Sequence, residues 1–570
     1  MNPLEAWTRD QERLEQEQSA PVPCLQGPWV AHAPQNILVL QLARLGDLVQ
    51  TWPLLTHLRL TYPGARLTLL TDHRLLPLQA TRAEVDEILG FDFLRLGSLT
   101  AGDWPGAYQL VADFLKDLQA RQFDLVFNLN FSRLSLLLTH LLGVPAKGYL
   151  PANGGRDFSR EPWLAWIYSL VHARRFNRFH LTDVFRHLAP EPAAAPTPTP
   201  PAVRPPGEPV VALQLATRHE RRTWPLEYFT RLADHLVSLE GAHVLLLGTA
   251  AERHLGEKLK AGLAPALRER VLNLQGETGL KELAAELNKA HLVVSGDTGT
   301  LHLATALMVP TVALFLGPAL CFETGPYGSG HYVLQAEPPC HPCTEAASPC
   351  PAEGPICLKM LPPEAVARLI SGWLKTGAAP LDLHLPAGSR LYRSDLDNFG
   401  VGYQYLGEEP PRFEDLVGDA YRQAGTWLAE EIHAAGEGGR RQEAFRLCTS
   451  NVGANLLFAR RSGRTPGSSL QKPYPFETER VLDTSPKPPP PTPYGEKGKL
   501  APGDWQAWEM LLAALSRGMP VPPEFPEVAA AMRPLLAFQA EMQRQDNQEL
   551  FVGVKEAFIA QLENRLSPSR

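Results

Sequence analysis

The stretch Asn36-Ile37-Leu38-Val39-Leu40-Gln41-Leu42-Ala43-Arg44-Leu45-Gly46-Asp47 decides the fold. An apolar run of strand length passes into a turn, and the turn into a helix predicted from about Gly46 to Tyr62, where Tyr62-Pro63-Gly64 ends it. A strand with little polar alternation is buried on both faces, which is the condition of a parallel sheet covered by helices. Working outward, Arg66–Thr71 and Asp124–Leu129 repeat the strand pattern with helical sequence between them, so residues 34–189 read as an α/β unit. The pattern then starts again. Strands are predicted at Pro209–Leu215, Ala242–Gly248, Val271–Leu274, His291–Ser295 and Thr311–Phe315, with helices at about 225–239, 251–262, 279–289 and 299–308. Residues 209–375 therefore form a second unit of the same kind. Residues 190–208, PEPAAAPTPTPPAVRPPGE, are a polyproline-type linker between the two.

The flanks differ. Residues 1–33 read as a poorly ordered leader without the apolar core of a secretory signal. Residues 376–570 read as a helical extension, with helices at 413–436, 441–461, 505–517, 526–545 and 547–566 around a Pro-rich segment at 465–504. At 44% hydrophobic and 20% charged residues, the 570-residue chain has the composition of a globular protein of several domains, not of a disordered or collagen-like one. With 54 basic against 61 acidic residues the net charge is −7, which argues against a nucleic-acid partner. No apolar run reaches 18 residues, so no membrane span is expected, and the default location is the cytoplasm.

Three segments carry candidate chemistry. Asp47 sits where the first strand turns into a helix, at the sheet edge where α/β proteins bind ligands. It is either a first-turn carboxylate favoured by the helix dipole or a general base facing a cleft. Val293-Val294-Ser295-Gly296-Asp297-Thr298-Gly299-Thr300-Leu301-His302 repeats the strand–turn–helix logic in the second unit. There the first helical amides would meet an anion, with Asp297 as N-cap and His302 one turn further along. Ala216-Thr217-Arg218-His219-Glu220-Arg221-Arg222-Thr223-Trp224-Pro225 places three arginines after the strand Val210–Leu215, a loop that suits a diphosphate or is merely solvated. Glu252 opens another helix and suits a ribose hydroxyl pair, or is a first-turn glutamate.

Together these segments resemble glycosyltransferase family 9, the bacterial heptosyltransferases. The likeness rests on Leu45-Gly46-Asp47 with Pro53-Leu54-Leu55, and on Asp297-Thr298-Gly299, His302, Ala304, Pro310, Ala313-Leu314-Phe315 and Gly317-Pro318, over roughly residues 35–375. The resemblance implies a GT-B fold, two Rossmann-like domains facing each other across a cleft. It also implies inverting transfer of heptose from ADP-heptose to a lipopolysaccharide inner-core glycolipid, with no cofactor required. By the same resemblance Asp47 is the general base, and Asp297, Thr298, Gly299 and His302 hold the donor, with Thr217 on the same side. Glu252 then lies near the nucleoside. Arg222 stands where the family usually has a phosphate-binding lysine, so the charge is kept while a fork replaces a point. A related enzyme using another nucleotide sugar for another glycan or protein, or an inactive scaffold of the same fold, is the competing reading.

Two further features are open. Cys340-x2-Cys343-x6-Cys350-x6-Cys357 could ligate a structural zinc, with His341 inside the cluster, or stand as free thiols or a redox pair. Residues 156–187 interleave six arginines (156, 160, 174, 175, 178 and 186) with Trp163, Trp166, Ile167, Tyr168, Leu170 and Val171. That segment reads either as a core-packing helix with a basic face or as an acceptor and membrane side, with Arg174, Arg175 and Arg178 touching the glycolipid or the inner-membrane surface.

Overall fold

The computed structural model describes residues 33–81, 84–152, 157–171, 173–189, 207–343, 350, 354–380 and 382–436, and in the C-terminal part 507, 510–512, 514–516, 521, 525–544 and 547–566. Residues 1–32 of the expected leader, 190–206 of the linker, Arg156, the expected helix at 441–461 and the Pro-rich segment 465–504 lie outside the described residues.

The first unit runs β1 (Asn36–Gln41), α1 (Leu45–Gln50), α2 (Trp52–Thr61), β2 (Arg66–Asp72), β3 (Glu87–Phe91), α3 (Phe93–Thr100), α4 (Trp104–Ala120), β4 (Leu125–Asn128), α5 (Arg133–Leu142), β5 (Ala146–Ala152), β6 (Asp157–Arg160), α6 (Pro162–Ser169) and α7 (Leu181–Arg186). The sheet order is β3-β2-β1-β4-β5-β6. All neighbours pair in parallel except β5 and β6, which form an antiparallel edge. Ile37, Leu38, Val39 and Leu40 are all buried, as a strand covered on both faces must be. The single helix predicted from Gly46 to Tyr62 is two, because Pro53 has no N–H to continue a ladder and starts its own helix near its N-terminus.

The second unit runs β7 (Val210–Gln214), α8 (Leu226–Glu240), β8 (His243–Leu247), α9 (Arg253–Gly262), β9 (Val271–Asn273), α10 (Leu280–Lys289), β10 (Leu292–Ser295), α11 (Gly299–Ala306), β11 (Thr311–Phe315), α12 (Cys321–Thr324), β12 (Tyr332–Ala336) and α13 (Pro363–Thr376). Its strands are ordered β9-β8-β7-β10-β11-β12 and all run parallel. The sheet does not stop there. β13 (Ser389–Leu396) and β14 (Val401–Tyr405) add an antiparallel hairpin to β12. This corrects the reading of 376–570 as helical throughout. Leu391 and Tyr392, then Val401 and Tyr403, bury a strand-like set of apolar side chains around the turn Asp397-Asn398-Phe399-Gly400.

Beyond the hairpin the chain is helical, with α14 (Phe413–Gly436), α15 (Pro526–Arg544) and α16 (Gln548–Leu566). On α14 the residues Phe413, Leu416, Val417, Ala420, Tyr421, Ala424 and Leu428 are buried at three- and four-residue spacing, one apolar stripe. That stripe packs on the first unit. The Trp166 ring lies 5.5 Å from Tyr421 and 5.2 Å from Phe538, and Tyr421 lies 4.5 Å from Phe558. Trp163, Trp166, Leu170 and Phe176 are buried in this core. Trp163, Trp166, Leu170 and Phe176 of the 156–187 segment are therefore the seat of the C-terminal helices, while Tyr168 and Val171 stay exposed.

The arginines of the same segment are spent on ties. Arg178 meets Asp415 at 3.2 Å, and Asp415 also takes Arg390 at 3.0 Å and Arg412 at 3.3 Å. Burial pushes the Asp415 carboxyl up, but the three guanidiniums outweigh it and hold it far below its usual range. Arg175 stands 3.9 Å from Glu414, and Arg174 pairs with Glu323 of α12 at 2.6 Å. Arg186 meets Asp183 at 3.3 Å, while Asp183 accepts the Tyr327 hydroxyl at 2.8 Å and the Val401 N–H at 2.9 Å. The correction is thus that Arg174 and Arg178 join elements of the fold; Arg160 lies over the Tyr168 ring at 3.6 Å.

Removing the Trp166 ring leaves a void where three elements meet. Trp166→Ala should cost about 3–5 kcal/mol of stability and open the C-terminal helices to limited proteolysis before the sheets; unchanged denaturation and proteolysis would sink this packing account. A pH dependence follows from two buried histidines. His180, whose Nε2 lies 2.9 Å from the Gly325 carbonyl, is held by burial down at about 3, and His331 at about 4. The unfolded chain binds those protons near pH 6.5 and the folded chain does not. Stability should therefore fall as pH drops below about 6.5, by up to about 1.4 kcal/mol per pH unit for each group. Urea titrations at pH 7.5 and 5.5 would show it, and His331→Gln should flatten the slope.

Candidate functional site

The turn after β1 is built by hydrogen bonds within the sheet edge. Asn130, following β4, accepts the Leu42 N–H at 2.7 Å and donates to Gln41 Oε1 at 2.7 Å. Gln41 in turn bonds Thr51 at 3.1 Å. This fixes where α1 begins. Asp47 is half-buried on the first turn of α1, and its Oδ2 accepts the Arg44 N–H at 3.2 Å, closing the N-terminus. The helix-terminal role is real, and it sits at the carboxyl edge of a parallel sheet, so it does not compete with a role in a cleft.

The turn after β10 faces it. A Cβ on Gly46 would lie 2.8 Å from His302 Cδ2, and one on Gly299 would lie 2.9 Å from the Leu45 side chain. At each glycine α1 and α11 pack so closely that a side chain there would run into one from the other helix, and this contact brings Asp47 and the Asp297–His302 turn to one interdomain edge. The N-cap of α11 is Thr298, not Asp297 as the sequence suggested. Thr298 Oγ1 accepts the Leu301 N–H at 3.4 Å and pairs with Ser295 at 2.8 Å. Asp297 is freed for charge pairing, with Oδ2 at 2.8 Å from Arg222 Nη1 and Oδ1 at 3.7 Å from His302 Nε2. Burial pushes the Asp297 carboxyl up; His302, Arg222 and Thr324 outweigh that and leave it below its ordinary value. His302 is buried, and its Nδ1 has no hydrogen-bond partner among the described residues.

The remaining donor-side residues fall around this pair. Thr217 lies against Gly296, where a Cβ would be 2.8 Å from its methyl group, and its hydroxyl bonds the His219 carbonyl at 2.8 Å. Arg222 ends the short helical turn Glu220–Arg222. Glu252 accepts the Thr249 N–H at 2.8 Å in a capping box, the first-turn role. The structure brings Asp297, Thr298, Gly299, His302, Arg222 and Thr217 together opposite the Asp47 turn.

Residues that sequence reasoning missed complete the edge. Glu323 holds Arg174, whose Nη2 also donates to the Pro318 carbonyl at 2.7 Å. Thr324 hydrogen-bonds Asp297. Gln214 accepts from Thr300 at 2.9 Å at the base of the helix. Of these only Gln214, a lone polar residue ending an apolar strand, carried a legible signal.

Known proteins resemble this chain in sequence. The pattern of glycosyltransferase family 9 (heptosyltransferase) matches residues 111–352. Lipopolysaccharide heptosyltransferase 1 of Pseudomonas aeruginosa is 27% identical over 369 residues, 60% of this chain and 98% of that protein. Lipooligosaccharide heptosyltransferase 2 of Haemophilus influenzae is 35% identical over 97 residues, 17% of this chain and 28% of that protein. The chain thus spans nearly the whole of the first and little more than a quarter of the second. Among solved structures, the E. coli ADP-heptose lipopolysaccharide heptosyltransferase II superposes with a TM-score of 0.45 at 20% identity, covering 60% of this chain and 99% of that one.

The helix contact gives a direct test. Gly46→Ala introduces a methyl group against a buried imidazole, an overpacking cost of about 1–3 kcal/mol. Since Ala suits a helix, the first unit should fold normally, and the strain should appear as separation of α1 from α11. Turnover should fall roughly 5- to 100-fold with the circular dichroism spectrum unchanged; full activity in this variant would show that the two turns need not meet.

Proposed function

We propose that this chain, a GT-B glycosyltransferase of family 9, transfers heptose from ADP-heptose to a lipopolysaccharide inner-core acceptor with inversion at the anomeric carbon. The observation that carries the reading is the α1–α11 contact through Gly46 and Gly299, which sets a carboxylate of one unit against the helix N-terminus of the other. The names of the relatives, lipopolysaccharide and lipooligosaccharide heptosyltransferases, support the donor and the acceptor. Among the described residues no helix is long and apolar enough to cross a membrane, so the glycolipid would be met from one side of the bilayer.

In this reaction Asp47 takes the proton of the acceptor hydroxyl as its oxygen attacks the anomeric carbon. The bond from that carbon to the diphosphate oxygen breaks on the opposite face, and the electron pair leaves with ADP. The negative charge that develops falls on the first amides of α11 and on Arg222, aligned before the reaction begins. Asp297 is an ionised carboxylate and accepts hydrogen bonds only, so it suits the sugar hydroxyls and the orientation of Arg222, not the phosphate oxygens. Arg174, held by Glu323, joins the two units and acts by positioning.

The experiment is a product assay with ADP-heptose and inner-core glycolipid, read by mass spectrometry alongside GDP- and UDP-sugars. Heptosylated product is expected with the ADP donor. Asp47→Asn should lower turnover about 10²–10⁴-fold while leaving ADP-induced thermal stabilisation in place. Product only from a GDP- or UDP-sugar would replace the donor in this reading. Full turnover in Asp47→Asn would remove Asp47 as the base.

A further inference from the structure

The turn that delivers Asp47 has each of its three backbone donors taken by a side chain. The Leu42 N–H donates to Asn130 Oδ1 at 2.7 Å, the Ala43 N–H to Gln41 Oε1 at 3.3 Å, and the Arg44 N–H to Asp47 Oδ2 at 3.2 Å. A strand-to-helix turn that binds phosphate keeps such amides open to its ligand. Here the protein's own side chains occupy them, so this turn is built to place a side chain and not to hold an anion.

Behind those amides runs a chain of hydrogen bonds with one direction. Asn130 Nδ2 donates to Gln41 Oε1 at 2.7 Å, Gln41 Nε2 donates to Thr51 Oγ1 at 3.1 Å, and the Thr51 hydroxyl donates to the Asp47 carbonyl at 2.9 Å. Gln41, Thr51 and Asn130 are all buried, so water does not stand in for a lost link. Reversing the Asn130 amide would set its NH2 against the Leu42 N–H and its oxygen against Gln41 Oε1. Reversing the Gln41 amide would set its NH2 against the Asn130 NH2 and the Ala43 N–H. Each amide therefore has a single orientation. Asn130 is itself fixed: its N–H donates to Asn128 Oδ1 at 3.1 Å, and its carbonyl accepts the Ser135 hydroxyl at 2.9 Å. The chain thus ties the first turn of α1 to β4 and α5 as well as to its own strand.

We infer that Asn130 and Gln41 are positioning residues for the transfer. They fix the first turn of α1 so that Asp47, with Oδ2 committed to the Arg44 N–H, meets the acceptor hydroxyl through Oδ1. The inference rests on the reading of Asp47 as the general base. Neither Asn130 nor Gln41 touches the reacting atoms. A base out of line with the attacking hydroxyl loses rate without loss of donor affinity, so their effect falls on turnover and not on donor binding.

The test is steady-state kinetics of the full-length chain with ADP-heptose and inner-core glycolipid. Asn130→Ala and Gln41→Met should each lower kcat about 10- to 100-fold, with the KM for ADP-heptose within about twofold. In an Asp47→Asn background the same substitutions should cost less than about twofold more, because a residue that acts only through Asp47 has nothing left to place. Full turnover in Asn130→Ala overturns the inference. So does a loss as large in the Asp47→Asn background as in the wild type, which gives both residues a general structural role and leaves Asp47 as the base. Full turnover in Asp47→Asn removes the base itself, and this inference with it. Should the variants fail to fold, amide hydrogen exchange of the wild-type chain decides. Leu42, Ala43 and Arg44 are expected to exchange as slowly as the amides of β1; exchange at the rate of an exposed loop overturns the inference.

Discussion

Gly46 and Gly299 stand where two helices approach too closely for any side chain, one from each unit, and most of the architecture serves that approach. A parallel sheet delivers every strand-to-helix turn to the same edge. Two such sheets, edge to edge, bring the first amides of α1 and α11 into one place. The contact has a cost, since it buries charged and polar groups: Asp297 and Arg222 are mostly buried, and so is His302. Burial of that kind is tolerated when each group has a partner, and here Arg222 answers Asp297 while Asp297 answers His302.

The C-terminal part of the chain holds this arrangement from behind. β13 and β14 extend the second sheet, and α14 then crosses to pack on Trp166 and Phe176 of the first unit. One stretch of chain is therefore bonded to both units. Where it passes between them, Asp415 gathers Arg178 from the first unit, Arg390 from β13 and Arg412 from its own segment. A carboxylate taken from water with three guanidiniums around it contributes little net energy, because desolvation consumes much of the attraction. Its geometric demand is strict, however: losing any one partner leaves buried charge unmatched, so the cluster fixes how the three segments meet. Arg174 with Glu323 and Asp183 with Tyr327 and Val401 repeat the device nearer the site.

What the sequence made legible follows the range of the forces involved. The strands β1, β2, β7, β8, β10 and β11 were readable because burial on both faces leaves a continuous apolar run in the chain itself. The turns at Asp47 and Asp297 were readable because a glycine and a carboxylate at a strand end have few local explanations. β13 and β14 were not, since the apolar residues of Ser389–Leu396 alternate with Arg393 and Asp395 and resemble an amphipathic surface segment until β12 is there to pair with them. The role of the 156–187 arginines was hidden for the same reason. Basic and aromatic residues in alternation describe a membrane face and a buried interface equally well, and the choice belongs to Asp415 and Tyr421, more than two hundred residues away. The cap of α11 was misassigned because Asp and Thr cap almost equally well; a guanidinium across the loop decided which of them was left to do it.

The Asp297–Arg222 pair also bears on how a donor could enter. With Asp297 ionised and Arg222 bound to it, the pair is close to neutral before any ligand arrives. A diphosphate brought against it would gain from Arg222 and lose to Asp297 across a similar distance, so the pair alone gives little net attraction. Two things shift that balance. The α11 amides carry positive potential with no carboxylate attached, and they lie on the Thr298 side of the turn. The carboxylate, kept below its ordinary pKa by His302 and Arg222 in spite of burial, is at the same time a strong acceptor for hydroxyl groups. A ligand that offers only phosphate is thus served on one side and repelled on the other. Under the proposed function, a ligand that offers a phosphate with hydroxyl groups beside it would satisfy both.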